Sequence, residues 1–350
     1  MYTARALCMG KTMRCLDLFS GCGGMGRLLP VDTVAYCEKD PFPKSILKQR
    51  MKTGDLTKCP IHDDIKTLVP PACDIIIGGF PCQDIAFQGI QRGFGGKRSS
   101  LYHEIMRVAD VSHPEYIFLE NVRNILRMPL VWQTVLQTLH DRGYDASWCV
   151  VSANQAGAPH RRDRWFCMAR KRKDTGGSKV NFGDTTRMPT FGDMKSGRVA
   201  AYKDPKLPKY FFKTPKVLRK LDGVPCTGKI RQKDKVIRLW GTPTCRGTTC
   251  HNLTQRQSSE YTSQIKFELG TRLRTKYVNL AFTEWVMGLP LGWTDPRSDG
   301  GSAHPGFEKE PCARMVSKIP DHYHKRAKVL GNMCVSQQAK LAWDVLMPRL

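Results

Sequence analysis

The sequence has no uninterrupted apolar run near the ~20 residues that a membrane-spanning helix needs, and no signal-type apolar stretch near its start. Both absences argue against a membrane protein and against secretion. Among its 14 cysteines no two stand at C-x-x-C spacing, so no zinc ribbon or thioredoxin-like redox pair is spelled out. They read as reduced thiols of a cytosol-like compartment. Cys245, Cys250 and His251 come closest to a metal cluster, but a fourth ligand at usual spacing is missing, so no metal is expected. Acidic residues are scarce: 31 Asp and Glu face 56 Lys and Arg, a formal net charge of +25. Such a surface repels itself unless a polyanion is its working partner, which points to nucleic acid.

The basic excess is concentrated. Residues 171–238 hold nineteen Lys and Arg against six Asp, interleaved with Tyr202, Tyr210, Phe211 and Phe212 as in nucleic-acid surfaces. With 350 residues, 41% of them hydrophobic, the chain suffices for one large domain and a smaller one.

Strand and helix patterns alternate along the first half. Arg14–Phe19 reads as a strand running into Ser20-Gly21-Cys22-Gly23-Gly24-Met25-Gly26, where Gly21, Gly23 and Gly26 satisfy G-x-G-x-x-G. A second strand, Thr33–Cys37, ends at Glu38, an acid placed to accept hydrogen bonds from ribose hydroxyls. These features do not separate a dinucleotide from another adenosyl cofactor. Asp64 offers a second acid at a strand end, suited to an adenine amino group or to capping the helix start that follows. Cys73–Ile77 is a buried strand stopping at Gly78-Gly79, which sets Cys82, in Gly-Gly-Phe-Pro-Cys-Gln, just past a strand end. Ligands gather at that rim in open α/β sheets. The glycine-rich stretch from 84 to 100, with Lys97 and Arg98, suits a loop that closes on an anionic ligand. Tyr116–Leu119 is a strand ending at Glu120-Asn121-Val122, and Arg162 and Arg164 share one face if Arg164–Met168 is also a strand. This alternation argues for a mainly parallel α/β sheet. From 170 to about 310 the periodicity fades into Gly, Pro, Lys and Thr, read as a separate, irregular domain. Glu284–Pro290 reads as a helix ending in a turn, and a last helix runs from about Ser336 to Leu346.

Taken in order, these pieces resemble the C5-cytosine DNA methyltransferase family over nearly the whole chain. Asp17-Leu18-Phe19-Ser20-Gly21-Cys22-Gly23-Gly24 is similar to its S-adenosylmethionine loop, Pro81-Cys82-Gln83 to its catalytic motif and Glu120-Asn121-Val122 to its E-N-V motif. Arg162-x-Arg164 is similar to its paired arginines, and Gly331-Asn332 to its C-terminal motif. The resemblance implies a Rossmann-like methyltransferase fold over 13–170 and 315–350, with a smaller irregular target-recognition domain over 171–314. Tyr277–Trp293 stands where the family's motif supporting that domain is expected.

It implies that Cys82 adds as a thiolate to cytosine C6, that Glu120 bonds to N3 and the exocyclic amine, and that Arg162 and Arg164 hold the base, with Arg164 near O2 or bracing Glu120. It implies S-adenosylmethionine in a pocket lined by Phe19, Gly21, Cys22, Gly23, Gly24, Glu38, Asp64, Ile65, Pro81, Leu101 and Asn332. Gln83, Lys97, Arg98 and Arg246 fall to double-stranded DNA, whose target base must leave the stack. A monomer acting on DNA in a bacterial cytosol or virus-infected cell, with a cognate restriction endonuclease as possible partner, completes the expectation. His160 departs from the family's usual Gln, and Met333 from its usual small residue. The rival readings are an RNA-cytosine methyltransferase, which would share Cys82 and Glu120 but generally lacks so large a recognition insert, and an NAD-dependent oxidoreductase, which leaves the Cys82 and Glu120 motifs unexplained. A catalytically silent DNA-binding module fits neither motif.

Overall fold

The computed structural model describes residues 12–80, 101–172, 228–232, 235–239, 277–299, 303–307 and 309–350. The β-branched and aliphatic runs become seven strands of one sheet: β1 (Met13–Leu18), β2 (Val31–Cys37), β3 (Ile61–His62), β4 (Ile75–Gly79), β5 (Tyr116–Val122), β6 (Tyr144–Ser152) and β7 (Asp163–Lys171). Helices α1 (Pro41–Lys52), α2 (Leu101–Ser112), α3 (Pro129–Asp141), α4 (Leu280–Val286), α5 (Tyr323–Asn332) and α6 (Ser336–Leu346) surround it. The strand order is β3-β2-β1-β4-β5-β7-β6.

Neighbours from β3 through β5 are parallel, as the alternating pattern anticipates. β7 runs against both of its neighbours. The link from β6 to β7 holds only a 3₁₀ turn, Ala153–Ala156, and is too short for the helical crossover that parallel strands require.

Side-chain alternation along the strands builds two layers. Leu16, Leu18, Ile76, Ile117, Leu119, Trp165 and Cys167 pack against Tyr102, Ile105 and Met106 of α2 and Trp132, Val135 and Leu139 of α3. Their neighbours Cys15, Ile75, Ile77, Phe118, Phe166 and Met168 face Ala339, Ala342, Trp343 and Leu346 of α6. The central strands are therefore buried on both faces, which explains why their sequences read as continuous apolar runs.

A third apolar cluster joins Phe42 and Ile46 of α1 to Leu280, Phe282, Trp285 and Val286 of α4 and Tyr323, Ala327 and Leu330 of α5, with Cys22 among them. Residues 277–293, expected within the recognition domain, thus pack with the glycine loop. Buried charge fastens the same region: Glu284 accepts from Gly292 N at 2.6 Å, Thr294 N at 2.8 Å and Arg326 Nη2 at 3.0 Å. Helix α5 does not announce itself in the sequence, because its exposed face, with His324, Lys325 and Lys328, dilutes the apolar period. The helix start foreseen after Asp64 is instead a turn, capped by Asp64 Oδ1 accepting from Lys66 N at 3.1 Å. Among the described residues two short antiparallel pairs lie outside the main sheet: β8 (Gly228–Gln232) with β9 (Lys235–Leu239), and β10 (Tyr277–Val278) with β11 (Met315–Val316).

Among the described residues nine cysteines are free, no group of His, Cys, Asp and Glu could hold a metal, and no helix is long and apolar enough to cross a membrane. Residues 173–227 of the basic stretch, with Tyr202, Tyr210, Phe211 and Phe212, and Cys245, Cys250 and His251 lie outside the described residues.

Candidate active site

The parallel register places the ends of β1, β4 and β5 side by side: Leu18 pairs with Gly78, and Gly79 with Glu120. Two interstrand steps put the glycine loop after β1 and the Glu120 backbone about 10 Å apart on one rim. Strand β4 lies between them and ends at Gly79; Phe80, which follows, is buried. Asn121 is also buried and ties down this exit. Its Nδ2 donates to Phe80 O at 2.8 Å, while its Oδ1 accepts from Val122 N at 2.8 Å. Sequence reasoning gave no role to Asn121, although its place in the Glu-Asn-Val triplet was a signal.

Glu120 is held from the opposite side. Arg164, near the start of the antiparallel strand β7, places its Nε 2.9 Å from Glu120 Oε1, and each side chain is only 12% exposed. Burial raises the Glu120 pKa, opposed first by Arg164 and then by Arg162. The carboxyl group is thereby biased toward its protonated form while keeping a cation beside it. Such a group can donate to a ring nitrogen or accept from an exocyclic amine.

Arg162 is also buried, but its Nη2 donates to the carbonyls of Gly331 and Met333, both at 2.7 Å. It anchors the C-terminal end of α5 while standing within electrostatic range of Glu120. Asn332, the last residue of that helix, is exposed. His160 is fully buried with Nε2 3.1 Å from Val286 O, and burial lowers its pKa to about 3. It therefore stays neutral, bridging the β6–β7 link to α4.

The glycine loop is shaped by its backbone. Phe19, Gly21 and Gly23 adopt φ of 55°, 56° and 76°. At Gly21 a Cβ would meet nothing within 4 Å, so the main chain there stands open to a ligand, in a left-handed conformation that glycine adopts without steric cost. Gly21 N donates to Glu38 Oε2 and Asp40 N to Glu38 Oε1, both at 2.8 Å, fixing the acid at the tip of β2 beside the loop. Asp17, beneath the loop, is buried enough that its pKa rises to about 8. Asp64 pairs with Lys39 at 2.8 Å, which lowers its pKa. Ile65 is buried and Leu101 packs on the apolar layer that contains it. Pro81, Cys82, Gln83, Lys97, Arg98 and Arg246 lie outside the described residues.

The likeness to known proteins agrees with this geometry. The chain is 31% identical over 164 residues to the type II methyltransferase M.CviJI of Paramecium bursaria Chlorella virus IL3A, covering 45% of this chain and 43% of that protein. It is 25% identical over 304 residues to M.NlaIV of Neisseria lactamica, covering 80% of this chain and 66% of that one. The chain thus spans less than half the length of the first relative and about two thirds of the second. Among solved structures, the S. pombe Dnmt2 methyltransferase superposes with a TM-score of 0.53 at 18% identity, covering 96% of this chain and 99% of that one, which shows a shared fold. The model of the C-5 cytosine-specific DNA methylase family matches residues 13–268, and the chain belongs to that family.

Proposed function

We propose that this protein transfers a methyl group from S-adenosylmethionine to C5 of a cytosine flipped out of a specific duplex DNA sequence. The observation that carries the reading is the buried Glu120–Arg164 pair at 2.9 Å, on the strand beside the one that leads to Cys82. C5 of cytosine is a poor nucleophile. Addition of the Cys82 thiolate to C6 forms an S–C6 bond and pushes the ring electrons toward C5 and N3. The Glu120 carboxyl, whose pKa burial raises against the pull of Arg164, donates to N3 as that charge develops, and Arg164 keeps the group oriented. The enamine-like C5 then takes the methyl group as the donor's S–CH3 bond breaks and S-adenosylhomocysteine leaves; C5 loses its proton to a base, the S–C6 bond breaks to return the thiolate, and the N3 proton goes back to Glu120.

The residues present fit an adenosyl cofactor: an open backbone at Gly21, and Glu38 anchored beside it with oxygens suited to ribose hydroxyls. When bound, S-adenosylmethionine supplies the electrophilic methyl. Cys82 and the basic stretch, together with Gln83, Lys97, Arg98 and Arg246, are assigned by family resemblance to chemistry and DNA contact. Because 277–293 packs with the glycine loop, we place the inner boundary of the recognition domain before Tyr277. The type II methyltransferase relatives support a restriction-modification role with a partner endonuclease.

Transfer of labelled methyl to duplex DNA but not to tRNA is the expected result, and bisulfite sequencing of DNA from expressing cells would give the target sequence. Labelling of tRNA alone would replace this reading with the RNA one. Cys82→Ser should abolish transfer while DNA binding survives; full activity would remove Cys82 from the mechanism.

A further inference from the structure

We infer that Trp293 is a positioning residue for the cofactor: its indole N–H holds the Cys22 carbonyl, and with it the Gly21–Gly24 backbone, in the shape that receives S-adenosylmethionine. This rests on the cofactor reading above. Trp293 is fully buried and its Nε1 donates to Cys22 O at 2.9 Å. The carbonyl it holds sits between Gly21 and Gly23, both in left-handed backbone, where no sheet ladder fixes the peptide planes. Other bonds that set the loop are local to β1 and β2: Ser20 N to Cys37 O at 3.2 Å, Gly23 N to Ser20 O at 2.8 Å and Gly21 N to Glu38. Trp293 reaches in from a distant part of the chain, as does Ser336, whose hydroxyl donates to Gly24 O at 2.7 Å.

The indole cannot easily swing away. The Arg27 guanidinium lies 5.0 Å and the Arg50 guanidinium 5.6 Å from its ring centroid. Arg50 is itself buried, pairs with Asp55 at 3.2 Å, and donates to the carbonyls of Asp295, Ser298 and Asp299, just beyond Trp293 in the chain. The segment is thus clamped so that one N–H meets one loop carbonyl. Any large apolar side chain would fill the space. Only a donor satisfies Cys22 O.

The test is calorimetric binding of S-adenosylhomocysteine to the full chain and to Trp293→Phe, which keeps an aromatic ring and loses the N–H. Affinity should fall roughly tenfold, the usual scale for stranding a buried carbonyl. Amide exchange across residues 20–26 should quicken, while affinity for duplex DNA without cofactor should be unchanged. Replacement of Trp293 by benzothienylalanine, which keeps the bicyclic shape without the N–H, should give the same weakening, and it serves as the test if the Phe variant does not fold. Wild-type-like affinity in either folded variant overturns the inference. Failure of the wild type to bind the ligand overturns the cofactor reading as well, so the two failures are told apart.

Discussion

Gly79 and Glu120 are register partners on adjacent parallel strands, and a Cβ on Gly79 would stand 2.8 Å from Glu120 Oε2. The carboxylate occupies the space a side chain would take, directly before the exit toward Cys82. Glycine is required here for close approach and not for an unusual φ.

Gly79→Ala should therefore push the Glu120 carboxylate off Arg164 without dismantling the sheet. Single-turnover methyl transfer should fall roughly a hundredfold, the scale of a displacement near 1 Å at a reacting group. Thermal unfolding should shift by only a few degrees. Unaltered turnover would show that Glu120 need not sit where the structure puts it.

Arg164→Gln removes the cation beside a buried carboxylate. The Glu120 pKa, already raised by burial, should rise further. A folded state that holds a proton the unfolded chain has released loses stability as pH increases above the usual carboxylate range. Urea unfolding should show a loss of roughly 3–5 kcal/mol at pH 8 and a much smaller one at pH 5. Equal losses at both pH values would mean that the pair does not set the Glu120 charge.

His160→Gln tests the opposite sign. The buried imidazole titrates near 3, well below its ordinary 6.5. Between those values the unfolded chain binds a proton and the folded one does not, so stability is present above about 6.5 and falls as pH drops, by roughly 1.4 kcal/mol per pH unit. Glutamine can donate to Val286 O without titrating. The variant should lose less stability than the wild type between pH 6 and pH 4; parallel curves would indicate that His160 is protonated in the fold.

Much of this arrangement is legible in the sequence, and what is hidden there is hidden for one physical reason. Strands β1, β4 and β5 announce themselves because double burial demands continuous apolar runs, and glycine clusters punctuate the ends of β1 and β4. The acids at those ends follow from position alone. The antiparallel turn of β7 was invisible because a short link leaves no mark on strand composition. The long-range partners of Arg162, Trp293 and His160 were invisible too, since they lie 169, 271 and 126 positions away in sequence.

The sequence by itself determined the local pieces: which runs are strands, where the chain must turn, and which reactive side chains stand at strand ends, because periodicity and glycine act over a few residues. Only the tertiary structure decided which of those side chains meet. It set Arg164 against Glu120, one of the two roles the family resemblance left open, turned Arg162 toward the carbonyls of Gly331 and Met333, and seated residues 277–293 on the glycine loop. Such pairings depend on strand register and on how separate apolar faces share one interior, and no short stretch of sequence contains either.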